Sequence, residues 1–331
     1  METLIDIVLL SFLVFTALAV AKMNDLFAVV MLSGIYSLLS ASWFLDLDAV
    51  DVAFTEASVG AGISTLLFLA SLKLVGRYEK RTRYRPLLAL GVVLVTGTLL
   101  IYGTLDMPHF GLADTPVHQH VAPRYLNDSM AEVGVPNVVT SVLASYRGYD
   151  TLGETLVIFT AGIGVTSLLR VSRRTKQEEQ RNVPADMQQQ IILRVVAKWM
   201  LPLIMIFAFY VQFHGDYGPG GGFQAGVIFA AGVILYTMLY GLSTTQEVFR
   251  QELLELLAAA GVLIYGGVGI VCMILGGNFL DYNVLRHDPV HGQHLGILLV
   301  ELGVGITVAT VMITIFFKFT WRTVKHKYII K

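Results

Sequence analysis

Apolar residues are gathered along this chain into long, nearly uncharged blocks separated by short polar breaks. Nine blocks stand out, at 3–21, 25–45, 52–75, 87–105, 152–170, 194–213, 222–242, 253–275 and 294–317. A helix crossing the hydrocarbon of a bilayer needs about 20 mostly apolar residues, so each block predicts one crossing. The chain is therefore expected to be an all-α integral membrane protein with about nine transmembrane helices and no soluble domain. Its longest connection, 106–151, contains Pro, His and Asp and shows no sustained periodicity.

Composition agrees: the chain is 55% apolar and 14% charged, with a mean hydropathy of +0.68, which places it in the polytopic membrane class. The charges add a direction. Of the 23 Lys and Arg residues, all but Arg124, Arg147 and Arg286 fall in alternate connections, while the acidic residues concentrate on the other side. The positive-inside rule then predicts an N-terminus outside and a C-terminus inside. Residues 1–21 are not expected to act as a signal peptide, because Glu2 and Asp6 stand where a basic segment belongs. A single cysteine, Cys272, lies in an apolar block; it excludes Cys-ligated iron–sulfur clusters and internal disulfides and reads as a small packing residue.

Two basic connectors, Lys73–Arg85 and Arg170–Arg194, divide the helices into blocks of three, two and four, at 1–80, 86–175 and 190–325. Three helices carry Glu followed by closely spaced glycines: Glu56 with Gly60 and Gly62, Glu154 with Gly162 and Gly164, and Glu301 with Gly303 and Gly305. The offsets differ, so the likeness reads as convergence on close helix packing, which small residues permit, and not as an internal repeat.

The punctuation between the sixth and seventh blocks is unusual. His214-Gly-Asp216-Tyr-Gly218-Pro219-Gly220-Gly221-Gly222 cannot continue a helix, since Pro lacks an N–H and Gly adds backbone freedom. A plain turn needs one or two such residues. The run is expected to form a discontinuous element lining a cavity or seating a neighbour, or else a tight re-entry turn. It matches no phosphate-binding loop, since no strand precedes it and no Lys-Ser/Thr follows.

Charged groups inside a bilayer cost several kcal/mol and call for a partner or a purpose. Glu301 lies seven residues beyond His294, roughly 10 Å into its block at 1.5 Å per residue, and is read as functional. Glu56 and Glu154 lie within about a turn of the outer ends. Together the three fit one carboxylate-lined half-channel open to the outside, loading H⁺ or Na⁺. Glu56 fits an interfacial pair equally well, and Glu154 fits a helix cap. Glu255 is expected in solvent, and Lys198 as an anchor reaching the interface. Histidines 109, 118, 120, 214, 287, 291 and 294 fall on the outer side; His118-Gln-His120 and His287 to His294 fit metal sites or pH sensors, but no companion ligand stands at a metal-site spacing, and solvated loop histidines are the favoured reading.

These residues resemble a known family. His214–Gly226, with Gly292-Gln-His-Leu-Gly-Ile-Leu-Leu-Val-Glu301-Leu-Gly-Val-Gly-Ile-Thr307, is similar to the B subunit of Mrp-type multisubunit Na⁺/H⁺ antiporters and equally to its homologue in membrane-bound hydrogenases. Glu56–Phe68 resembles the carboxy-terminal part of the large Mrp A subunit, and Tyr146–Glu154 the segment after it. The resemblance implies the tail of an A subunit fused to a B subunit. It also implies a complex in a prokaryotic cell membrane that exports Na⁺ in exchange for H⁺. Expected partners are an A subunit lacking its tail, a D-type antiporter-like subunit and small membrane subunits, with no resident cofactor. The family's large subunits carry intramembrane Lys residues that this chain lacks, so it is expected not to exchange ions alone and not to be an enzyme. Two other roles stay open: a purely structural scaffold, and a membrane-arm subunit of a redox complex. A stand-alone transporter is disfavoured, because no inverted repeat is visible.

Overall fold

Helix α9 organises the molecule. In the computed structural model, which describes residues 2–79, 86–109, 111–169 and 191–329, it runs from Pro289 to Ile329 and is the most buried of the long helices. Around or beside it stand α1 (Glu2–Lys22), α2 (Leu26–Asp46), α3 (Val50–Val75), α4 (Pro86–Thr104), α5 (Gly148–Leu168), α6 (Ile191–His214), α7 (Gly222–Tyr240) and α8 (Gln251–Ile274). Among the described residues nine helices are thus long and apolar enough to cross a membrane. No β-strand occurs among them, only an isolated backbone bridge from Asp25 to Tyr78.

The helices alternate in direction. Asp25 meets Arg77 at one end (2.7 Å), and Arg322 reaches the Leu168 carbonyl at that same end. At the opposite end, here called the upper one, Asn137 touches Asp51 and Tyr265 reaches the Gly148 carbonyl. The Arg77 guanidinium, hydrogen-bonded to Asp25, holds that half-buried carboxyl below its ordinary range. The basic connectors at the lower end lie largely outside the described residues, the second of them over 170–190.

Close approach of small residues builds the centre. A side chain on Gly226 would come within 2.7 Å of the Gly305 carbonyl, and one on Gly261 within 2.5 Å of the Gly303 carbonyl. Helices α7 and α8 therefore touch α9 backbone to backbone, the packing mode that bilayers favour because side-chain burial gains little against lipid. On a third side Gly162 of α5 faces Val311 at 3.0 Å. Gly62 and Gly164 have no comparable neighbour, so only part of the Glu-and-glycine likeness reflects packing.

Three expectations change. Helix α9 starts at Pro289, not 294. Helix α3 widens to π-helical geometry from Ala57 to Ser64, directly after Glu56. The connection 106–151 contains short helices, Pro116–Gln119, Val121–Asn127, Ser129–Glu132 and Val138–Thr140, and it reaches the core, where Val133 and Val135 are almost wholly buried. Together with 275–288 it caps the upper end. There the Tyr282 hydroxyl, 3.0 Å from the Ala144 carbonyl, is pushed up from its ordinary pKa by burial. By contrast α4 exposes nearly all of its apolar residues.

The glycine turn as a candidate ion site

Helix α6 ends where the glycines begin. Tyr217 N and Gly218 N return to the His214 carbonyl (2.9 and 3.1 Å), and Gly221 N returns to the Val211 carbonyl (3.0 Å). Gly221 sits at φ 110° and ψ −179°, a region closed to residues with a Cβ. One residue later Gly222 opens α7, and a Cβ there would collide with the Glu301 carbonyl.

The turn is wrapped around Glu301. Added side chains on Gly215 and Gly221 would lie 3.3 and 3.1 Å from its two carboxylate oxygens, so bare glycine backbone forms the wall on which the acid rests. The charges acting on Glu301 come chiefly from Asp216 of the turn and Asp51 of α3. Asp216 pairs loosely with His294 Nδ1 at 3.6 Å. Asp51 Oδ1 accepts hydrogen bonds from Gly220 N (3.4 Å) and from Asn137 Nδ2 (3.3 Å). Asn137 also donates to the carbonyls of Gly215 (3.1 Å) and Gly218 (3.0 Å). Thr140 Oγ1 donates to the same Gly215 carbonyl (2.7 Å), and Gln224 Nε2 donates to Thr55 Oγ1 (2.7 Å). One point of the fold thus joins residues from all three sequence blocks.

The depth of this point follows from α7. Its 19 residues span about 28 Å at 1.5 Å per residue, close to the roughly 30 Å of hydrocarbon in a bilayer. Gly222, its first residue, levels with Glu301. Glu301 therefore lies at the upper boundary of the apolar layer, beneath the cap, although twelve residues of α9 precede it. Counting along its own helix overstates its depth, because α9 projects beyond its neighbours.

The other predicted residues are distributed differently. Glu56 folds back along α3, where a side chain on Gly60 would meet its Oε1 and the Ser37 hydroxyl of α2, each at 2.5 Å. Glu154 is exposed on α5 next to Asp150. The structure thus groups Glu301 with Asp51 and Asp216 and sets Glu56 and Glu154 apart. His214 stacks on Tyr210, with its ring over Gly218, and Pro219 forms the exposed corner. Glu255, expected in solvent, is exposed there and pairs with Lys318 at 3.7 Å near the lower end. His294, expected in solvent, faces Asp216. Among the described residues no three His, Cys, Asp or Glu converge as metal ligands, so the three acids are electrostatic neighbours and not a chelate. A cavity of about 300 Å³ between α6, α7, α8 and α9 is lined by Phe209, Phe213, Leu257 and Ile306 and contains none of the carboxylates.

Known protein families resemble the chain over most of its length. Residues 192–314 match the family described as a domain related to the MnhB subunit of Na⁺/H⁺ antiporters. The putative antiporter subunit mnhB2 of Staphylococcus aureus (strain Newman) is 32% identical over 131 residues, which is 39% of this chain and 92% of that protein. This chain belongs to the MnhB antiporter-subunit family. Residues 11–77 match the family described as the D subunit of MBH, and 92–189 the one described as its E subunit. A probable A/B subunit of a K⁺/H⁺ antiporter from Rhizobium meliloti (strain 1021) is 28% identical over 329 residues, covering 89% of this chain and 32% of that one. A chain of the Mrp complex from Dietzia sp. DQ12-45-1b superposes with a TM-score of 0.73 and 26% identity, over 94% of this chain and 34% of that one. The chain thus spans about a third of the length of these two larger relatives. As an MnhB-family member with nine membrane-length helices among the described residues, it is a multi-pass membrane protein.

Asp51, Asn137, Thr140 and Gln224 were not predicted from the sequence. Asp51 lies five residues before Glu56 at the head of α3, and Asn137 follows Val-Pro in the cap. No periodicity marks either as a partner of a turn that lies so far along the chain.

Proposed function

We propose that this chain is a membrane subunit of a multisubunit monovalent cation/proton antiporter, supplying part of the ion path. In this reading the complex sits in a prokaryotic cell membrane and exports Na⁺, or a related monovalent cation, in exchange for H⁺. The chain's upper end faces the exterior, as the distribution of Lys and Arg implies. It works with an A subunit lacking its tail, a D-type antiporter-like subunit and small membrane subunits. It has no chemistry of its own and no resident cofactor.

One observation carries the reading: the Glu301 carboxylate rests on bare glycine backbone, with Asp51 and Asp216 as charged neighbours. Oxygen-rich, negatively charged surroundings at the edge of an apolar layer attract a small hard cation, and a carboxylate there can exchange a cation for a proton. Loss of one charged contact is worth about 1.5–3 kcal/mol, or roughly 10- to 150-fold in apparent affinity. Glu301→Gln in the complete complex is therefore expected to cut cation/proton exchange in vesicles by at least about tenfold while leaving assembly intact. Glu154→Gln, exposed and remote, is expected to change little, with Glu56→Gln between them. Unchanged exchange in an assembled Glu301→Gln complex would sink the ion-path role and leave a scaffold.

The matches over 11–77 and 92–189 support a second reading, a membrane-arm subunit of a redox-linked relative. Flanking genes for iron–sulfur proteins, and their co-purification with this chain, would favour it over an antiporter.

A further inference from the structure

The site's carboxylates come from α3, α9 and the turn, but the contact that ties them together comes from the cap. Asn137 Nδ2 places two hydrogens among three oxygens: Asp51 Oδ1, Gly215 O and Gly218 O. Its orientation is fixed, because Asn137 Oδ1 accepts from Val139 N at 3.0 Å and so turns the donor end toward the site. The backbone reinforces it, with Asn137 N donating to the Asp216 carbonyl at 3.0 Å. The groups facing Asp51 are otherwise acidic: Glu301 and Asp216 nearby, with Glu56 further along its own helix. The imidazole among them is that of His294, which faces Asp216 at 3.6 Å. A neutral amide donor therefore offsets repulsion that no Lys or Arg ion pair relieves among the described residues.

We propose that Asn137 is a positioning residue of this ion site: its amide ties Asp51 to the glycine turn and holds the turn in the shape on which Glu301 rests. This rests on the reading that these carboxylates handle ions. Removing the donor leaves negative charge at the site less well hydrogen-bonded, so protons compete more strongly with the cation and the acid limb of exchange moves to higher pH.

A pair of variants separates this role from simple helix capping. Asn137 is also the N-cap of the turn Val138–Thr140, and Asp caps as well as Asn. Asn137→Asp thus keeps the cap while replacing the donor with a negative acceptor beside Asp51. Asn137→Ala removes both. In the complete complex, Na⁺-driven and K⁺-driven exchange would be measured in vesicles across pH. Both variants are expected to move the acid limb upward by about one pH unit, the equivalent of a tenfold change in proton competition, with the alkaline plateau kept. An Asn137→Asp complex with an unmoved limb overturns the proposal. If that variant does not assemble, Asn137→Ala decides by the same criterion. An unmoved limb alongside a strong Glu301→Gln defect would refute Asn137 alone; if Glu301→Gln is also silent, the ion-site reading falls with it.

Discussion

Gly222 is where the close packing of α7 on α9 is most exposed to a single methyl group. A Cβ at this position would overlap the Glu301 carbonyl oxygen and lie 2.9 Å from both Glu301 C and Gly305 N. All three are backbone atoms of one helix, so no rotamer change relieves the clash. Helix α7 has to move outward, which also opens the contact of Gly226 with the Gly305 carbonyl at 2.7 Å. Overpacking of this kind costs about 1–3 kcal/mol, or roughly 5- to 150-fold in the folded population. Gly266 of α8 is the control, because a side chain there would meet nothing within 4 Å, and Ala for Gly within a helix gains up to about 1 kcal/mol. Thermal unfolding of the detergent-solubilised complex, followed by tryptophan fluorescence and by recovery of intact complex, should show Gly222→Ala melting well below wild type. Gly266→Ala should match or exceed wild type. Equal melting of both variants would refute the backbone contact between α7 and α9 on which the site's geometry depends.

Further outcomes concern the cap. Burial and the hydrogen bond to Glu132 push the Tyr146 pKa up to about 12. Since that raises it above the unfolded value, its contribution to stability is full below about pH 10 and is lost as pH climbs toward about 12. Tyr146→Phe should remove that alkaline loss, and a tyrosinate absorbance that rises for this residue near its ordinary pKa of about 10 would contradict the burial. Tyr282→Phe leaves the buried Ala144 carbonyl without its donor and should destabilise the chain by about 1–3 kcal/mol. A melting curve identical to wild type would show that the hydroxyl does no anchoring there.

The chain's residues determined a good deal unaided. Nine apolar blocks, each of membrane length, leave no other fold class, because in lipid a segment of that length must satisfy its backbone hydrogen bonds internally. The glycine run after His214 and the Glu at 301 were likewise legible as features needing an explanation, one for its backbone freedom and the other for its charge. Block boundaries are least legible where apolar residues merge into caps. Helix α9 begins in Pro-Val-His-Gly, which hydropathy does not count as membrane, and so its start was placed late.

Tertiary structure alone decided which carboxylates lie together. Composition offered three similar glutamates, but depth measured along separate helices says nothing about which faces meet. Only the assembled bundle shows Glu301 against the turn with Asp51 and Asp216 as neighbours, Glu56 folded toward Ser37, and Glu154 exposed. Asn137 could not be foreseen, because a single amide in a connection without periodicity acquires its meaning from oxygens 78 to 86 residues away in both directions. Local sequence sets what each segment must be in a bilayer, through hydrogen bonding and transfer free energy. Which polar groups share a site is set by helix packing, where glycines lacking a Cβ let three distant segments come to one point.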